Sequence, residues 1–393
     1  MKEHLLQEVI KYAYDHSPGW RKRLDEAGIS AGDIEEEEDL SKIPVLRKEQ
    51  LPSIQKESLP FGNLTTLEAQ RMIRIFMSPG PIYDPQAEEG DFWRFGEALQ
   101  AAGFGPGDIV QNTFSYHLSP AGFMFDSALR SLGCTVIPAG VGNTDLQLQL
   151  MQECAVTGYV GTPSFLATLL SRAEENGLNI QESFRLEKAF FTAEMLPPSL
   201  RKQLEGYGIQ VSEGYGTADI GCIAYQVDKE PGLKVRESLF LQICDPETGL
   251  PICNSDVGEI VVTLLDKPYP LIRFGTGDLS KWVEGREGER IAGVLGRVGD
   301  GVKVRGMFVH HQQMAKVMNT YPEIEYFQVL VTREGIRDIL KVRLESHHDS
   351  NSFKELLTKR LVEAIRVTPD VEVVPVGTID RGEKQLLDLR KWA

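Results

Sequence analysis

The sequence predicts an α/β fold: a large first domain with parallel strands, followed by a small α+β domain. Three observations predict it. Between residues 109 and 217, apolar stretches of strand length alternate with helical stretches, which implies parallel pairing with crossovers. After about residue 230, short strands separated by "DPETG" and "DVGE" turns suit an antiparallel subdomain. Beyond the glycine-rich "GRVGDG" at 296–301, read as a linker, the chain has the helix and strand pattern of one small domain. At 393 residues the chain exceeds one ordinary core, so the expected division is 1–296 and 297–393.

In chain order, Leu5, Leu6, Val9, Ile10 and Ala13 recur at helical spacing, and "SPGW" at 17–20 stops that helix. Short helices and loops follow to about residue 70, and 88–103 suits a helix ended by "GFGPGD". The alternating region reads as strand "IVQNTF", helix 120–132, strand "CTVIPAG", helix 144–154 and strand "TGYVGT". A helix then starts at Pro163, with Thr162 as its cap. Strand "KAFFTAE", helix 197–206 and strand "IQVSEGYG" complete the series. Sites in such sheets lie at the carboxyl ends of the strands, which places "SEGYGTAD" on a functional edge. The last domain reads as helix 311–319, strands "YFQVLVT" and "ILKVRLE", helix 352–366 and strand 371–376.

Composition excludes several classes. A net charge of −15 without a dense Lys/Arg cluster argues against nucleic acid. No apolar run approaches the ~20 residues of a membrane span, and charges throughout the N-terminal apolar stripe argue against a secretion signal. Five cysteines form no close pair and have no histidines at ligand spacing, which fits a reducing cytoplasm.

Three motifs, "EGYGTAD" (213–219), "PLIRFGTGDLS" (270–280) and "GRVGDGVKVRG" (296–306), occur in an order and spacing that resembles the phenylacetate-coenzyme A ligase branch of the adenylate-forming enzymes. The likeness extends through "LSKIPVLRKEQL", "LGCTVIPAGVGNT", "GTPSF" and "VGTIDRGEK". It implies a large multi-subdomain adenylate-forming domain and a mobile C-terminal lid. It also implies an ATP- and magnesium-dependent reaction that joins a small, aromatic or other, carboxylic acid to coenzyme A through an acyl-adenylate, in a homodimer.

By the same resemblance Tyr215 lies against adenine, Gly216 admits close backbone approach, Thr217 meets phosphate and Asp219 helps to hold Mg2+. These groups suit those tasks, although a turn after a buried strand selects similar residues. Asp278 matches the acid that accepts from both ribose hydroxyls, a position where a "GTGD" turn would also select aspartate. Arg297 matches an arginine near ribose and phosphate, and Lys384 the lysine that bridges carboxylate and phosphate during adenylation. A plain surface lysine would also fit that last position. For the acyl pocket the resemblance points to Tyr116, His117, Ala139, Gly140, Ala193 and Glu194, with a structural histidine as the other reading of His117.

The stretch "RIFMSPGPIYDP" (74–85) takes the place of the family's phosphate loop and keeps Ser78, Gly80 and Pro85. Pro79 and Pro81 remove backbone donors as well as hydroxyls, and Asp84 brings an acid towards a polyanion's seat. Each lost charge-assisted hydrogen bond is worth about 1.5–3 kcal/mol. An alternative therefore stands beside the ligase: a catalytically degenerate homologue that binds nucleotide or acyl-coenzyme A without ATP turnover.

Overall fold

In a computed structural model of the chain, which describes residues 2–78, 81–227, 230–252, 256–299, 301–304, 307–334, 337–365 and 367–390, the residues form two compact units. The first holds an eight-stranded sheet in the spatial order Thr135–Pro138, Ile109–Asn112, Gly158–Gly161, Lys188–Phe191, Gln210–Thr217, Gly221–Tyr225, Leu233–Val235, Arg290–Ile291. The first five strands are parallel and the last three antiparallel.

Alternation along each strand sends side chains to opposite faces. Val160 and Phe190 enter a core with Phe125, Ala128 and Leu129 of helix Ala121–Ser131. Tyr159, Ala189 and Phe191 enter another with Leu166, Leu169 and Leu170 of helix Pro163–Glu175. With helices on both faces the central parallel strands Ile109–Asn112, Gly158–Gly161 and Lys188–Phe191 are covered, which is why they read as apolar runs rather than as alternation. As expected, Thr162 caps its helix, its hydroxyl accepting from the Phe165 amide at 3.4 Å.

A second sheet of this unit rests on Arg273, which is buried at φ 45°. Its guanidinium donates to the carbonyls of Ile43 (2.7 Å), Ser41 (3.2 Å) and Gly249 and to the Gln242 side chain. The strand that begins at Phe274 thereby pairs in parallel with Leu46–Arg47 from the N-terminal segment. The hairpin Arg74–Ser78 and Ile82–Gln86 belongs to the same unit.

The second unit comprises 294–393 with the short pieces 257–259 and 277–280. Its four-stranded sheet runs Asp370–Val374, Arg337–Ser346, Ile324–Glu334, Leu386–Asp388. Helices His311–Met318 and Asn351–Ile365 contribute Met314, Met318, Leu357 and Leu361 to its core.

Three local expectations are corrected. "SPGW" stops one helix and starts another, Pro18–Glu26, because the Ser17 hydroxyl accepts from the Trp20 amide and proline takes the first helical position. The helix expected over 88–103 shrinks to Gly96–Ala101: Asp91 accepts from the Phe95 and Gly96 amides, and Arg94 sits at φ 61°. "GRVGDG" is more than a linker, since Gly296 and Arg297 pair antiparallel with Leu279 and Asp278.

Gly221 turns the chain after Asp219 at φ +83°, and a Cβ there would run into the Trp93 backbone carbonyl. Gly221→Ala adds left-handed strain to overpacking, so it is expected to destabilise the first unit by about 1–3 kcal/mol, measured by urea unfolding. An unchanged midpoint would contradict this packing.

Candidate active site

The carboxyl ends of the parallel strands gather the residues expected at the acyl pocket. Asn112, the last residue of its strand, organises two of them: its side-chain amide donates to the Tyr116 hydroxyl at 2.8 Å, and its carbonyl accepts from the Gly140 amide at 3.0 Å. Burial, then the Asp126 charge, raise the Tyr116 phenol above its ordinary value, so the ring serves as a neutral wall. Ala139 and Gly140 follow the strand Thr135–Pro138, and the Gln147 amide donates to the Gly140 carbonyl at 3.0 Å. Ala193 (φ 70°) and Glu194 follow Lys188–Phe191, with Glu194 accepting from the Ser164 amide at 3.4 Å. His117, Ala193 and Glu194 are exposed. An open hollow of about 720 Å³ between helices Thr144–Glu153 and Pro163–Glu175 is lined by none of these residues.

The strand Gln210–Thr217 carries the next group. Tyr215 is buried and belongs to the same hydrophobic core as Ile82 and Ile220. Thr217 accepts from the Ile220 amide at 3.2 Å and closes the turn that presents Asp219. Gly216 lies where a Cβ would strike the Gly221 carbonyl, so no larger residue fits there. The Asp219 side chain is 0% exposed, and its Oδ2 accepts from Lys48 Nζ at 2.6 Å.

Near this pair stands the hairpin Arg74–Ser78 and Ile82–Gln86, where the resemblance expects a phosphate loop. Its ladder sets Phe76 opposite Asp84 and Ser78 opposite Ile82, so Ser78 and Asp84 share the buried face. The Ser78 hydroxyl, both Asp84 oxygens, Asp219 Oδ1 and the Tyr269 hydroxyl are buried without a hydrogen-bond partner among the described residues. Burial first, and then the Asp219 charge, push the Asp84 carboxyl up to about 8, with the Lys48 charge pulling the other way. Asp84 is therefore a neutral acid at pH 7, and the charge that the sequence places beside a polyanion is absent. Gly80 lies outside the described residues.

In the second unit, residues 19 apart in sequence meet across two strands: Arg297 Nε donates to Asp278 Oδ1 at 3.2 Å. Arg297 is 75% exposed and Asp278 buried. Lys384 is exposed on a loop held from behind by Glu345, which accepts from the Ile379 amide at 2.7 Å and from Arg381 at 2.7 Å. The Ile379 amide above all, followed after opposing burial by the Gly377 amide and Arg381, holds the Glu345 carboxyl below its ordinary range. Gln328 ties the same loop at Glu383 (3.0 Å) and at the Lys384 carbonyl (3.4 Å).

The family model of AMP-binding enzymes matches residues 98–263, and that of the AMP-binding enzyme C-terminal domain matches 306–390. The chain is 30% identical to a phenylacetate-coenzyme A ligase of Thermus thermophilus, over 100% of this chain and 96% of that one. The chain belongs to the phenylacetate-coenzyme A ligase family of AMP-binding enzymes. Its Escherichia coli relative of the same name is 27% identical over 98% of this chain and 93% of that one. Among solved structures, 2-hydroxyisobutyryl-CoA ligase, in an open conformation with 2-HIB-AMP and CoA, aligns with a TM-score of 0.86 at 22% identity, covering 98% of this chain and 90% of that one. A ligase of this family is an AMP-forming acid–thiol ligase, and the alternative of a homologue without ATP turnover finds no support among these relatives. No helix among the described residues is long and apolar enough to cross a membrane.

Sequence reasoning missed Lys48, Asn112, Tyr269 and Glu345. Lys48 stands within the quoted "LRKEQL", but nothing in its surroundings there sets it apart from any other lysine.

Because the folded value of Asp84 lies above its ordinary 3.8, the folded protein holds an extra proton between that value and about 8. Stability therefore falls as pH rises through that window. Asp84→Asn, a mimic of the neutral acid, is expected to flatten the dependence, with little change near pH 4 and a Tm advantage that grows up to about pH 8. Identical pH profiles for the two proteins in thermal unfolding would refute the assignment.

Proposed function

We propose that this ligase activates a small aromatic carboxylic acid of the phenylacetate type, as the names of its relatives suggest, and passes the acyl group to coenzyme A. In the first half-reaction a carboxylate oxygen attacks the α-phosphorus of ATP and pyrophosphate leaves. In the second, the coenzyme A thiol attacks the acyl carbon, the acyl carbon–oxygen bond breaks and AMP departs. Magnesium enters this reading as the phosphate complex of ATP.

The observation that carries the reading is the Asp278–Arg297 pair. The carboxylate and guanidinium required at ribose and phosphate stand in register on neighbouring strands, though nothing in the local sequence demands it. A pair with one partner this exposed is worth roughly 0.2–1 kcal/mol, so a nucleotide separates it at little cost. Asp278 then accepts from the ribose hydroxyls while Arg297 turns to phosphate. Tyr215 supports the adenine, Thr217 and Ser78 bound the phosphate path, and the Lys384 ammonium bridges carboxylate and α-phosphate as negative charge develops. Tyr116, His117, Ala139, Gly140, Ala193 and Glu194 line the acid's side. Cytoplasmic residence fits cysteines such as Cys134, Cys154 and Cys222 that are kept as thiols, and a homodimer is the assembly expected by family likeness.

Acid-dependent pyrophosphate release, measured over a panel of aryl and short-chain acids with ATP, magnesium and coenzyme A, tests this reading. Phenylacetate-like acids are expected to support both pyrophosphate and thioester formation. Lys384→Ala is expected to slow adenylation about 10²-fold or more, while thioester formation from a preformed acyl-adenylate changes little. Silence with every acid, while a control ligase works, would overturn it.

A further inference from the structure

The family resemblance gives Asp219 a magnesium ion, and the residues present do not fit one. Mg2+ demands near-octahedral geometry and keeps several of its waters. The Asp219 side chain is 0% exposed, and one of its two oxygens already holds the Lys48 ammonium at 2.6 Å. Its neighbours are the buried Asp84 and Tyr269, and the side that faces solvent is taken by Lys48. Among the described residues, no three His, Cys, Asp or Glu side chains group as a metal site.

We propose that the Lys48 ammonium takes the place of a protein-held divalent cation at Asp219, so that this chain meets the phosphates of ATP with a fixed organic cation. The geometry suits that task. Lys48 lies in the turn Lys48–Gln50, directly after the strand Leu46–Arg47, whose pairing with Phe274 and Gly275 fixes the base of its side chain. Its side chain is 29% exposed while its carboxylate partner is wholly buried, so the ammonium caps Asp219 on the solvent side. Among the described residues the ammonium donates to Asp219 alone, and two of its three N–H donors remain for phosphate oxygens. Lys48 also acts on Asp84 of the hairpin, whose tip has lost the usual loop donors to proline. A lysine at this spot offers N–H donors in place of those that proline removed from the loop. The ion pair stands independently of the ligase reading, and only its action on ATP rests on that reading.

Binding of Mn2+ alone, without nucleotide, is the test, read by electron paramagnetic resonance and titration calorimetry near pH 7.5. The wild type is expected to take up no Mn2+ at this position. Lys48→Ala, which frees Asp219 beside Asp84, is expected to gain one Mn2+ per chain, and Lys48→Ala/Asp219→Asn to lose it again. Lys48→Met keeps the packing of the stem and replaces the alanine variant should that one fail to fold. Mn2+ bound by the wild type and abolished by Asp219→Asn would overturn the proposal. So would a folded Lys48 variant that gains no site. Because nucleotide and acid are left out, a failure of the ligase reading would appear only in the turnover assay and leave this result untouched.

Discussion

A carboxylate buried at the end of a parallel strand cannot stand alone, and this constraint organises the nucleotide side of the molecule. An unpaired buried charge costs several kcal/mol, so Asp219 has to draw in a cation, neutralise, or move to solvent. It draws in Lys48 from a segment 171 residues away. That pairing fixes the N-terminal segment against the sheet edge, and Arg273 ties the same segment to the second sheet through the carbonyls of Ser41 and Ile43. The second acid, Asp84, is buried and feels the Asp219 charge, and it takes the other course of holding its proton. The altered hairpin therefore costs less than its sequence suggests. Its acid is neutral, and a cation stands beside it.

The sheet explains why these groups meet at all. Parallel strands with crossovers place every strand's carboxyl end on one edge, and side chains from distant parts of the chain converge there. Asn112 shows the economy of the arrangement, since one strand-end amide orients Tyr116 while its own carbonyl anchors Gly140. In the second unit the same logic works through an antiparallel ladder, where Asp278 and Arg297 face each other. Glu345 and Gln328 hold the loop of Lys384 from two sides.

Much of this was legible in the sequence because the signals are local. Alternating apolar runs and helices predicted the parallel sheet, the Thr162–Pro163 cap marked a helix start, and three ordered motifs pointed to the family. What the sequence could not disclose depends on burial and on long-range partners. Asp84 read as a negative charge because burial and the neighbouring Asp219, which make it a neutral acid, leave no trace in "PIYDP". Lys48 was invisible since its meaning comes from Asp219. The helix expected over 88–103 was cut short by the Asp91 cap and by the positive φ of Arg94, a conformation that arginine propensity does not foretell.

The central claim is that the acid is activated by transfer of its own oxygen onto the α-phosphorus of ATP, with AMP leaving at the second step. The most direct measurement supplies the protein with ATP, coenzyme A and phenylacetate labelled with 18O in both carboxylate oxygens, and weighs the products by mass spectrometry. The account predicts AMP carrying one 18O, a thioester carrying the other, and unlabelled pyrophosphate. Label in inorganic phosphate with ADP as the nucleotide product, or thioester formed without label in AMP, would contradict it.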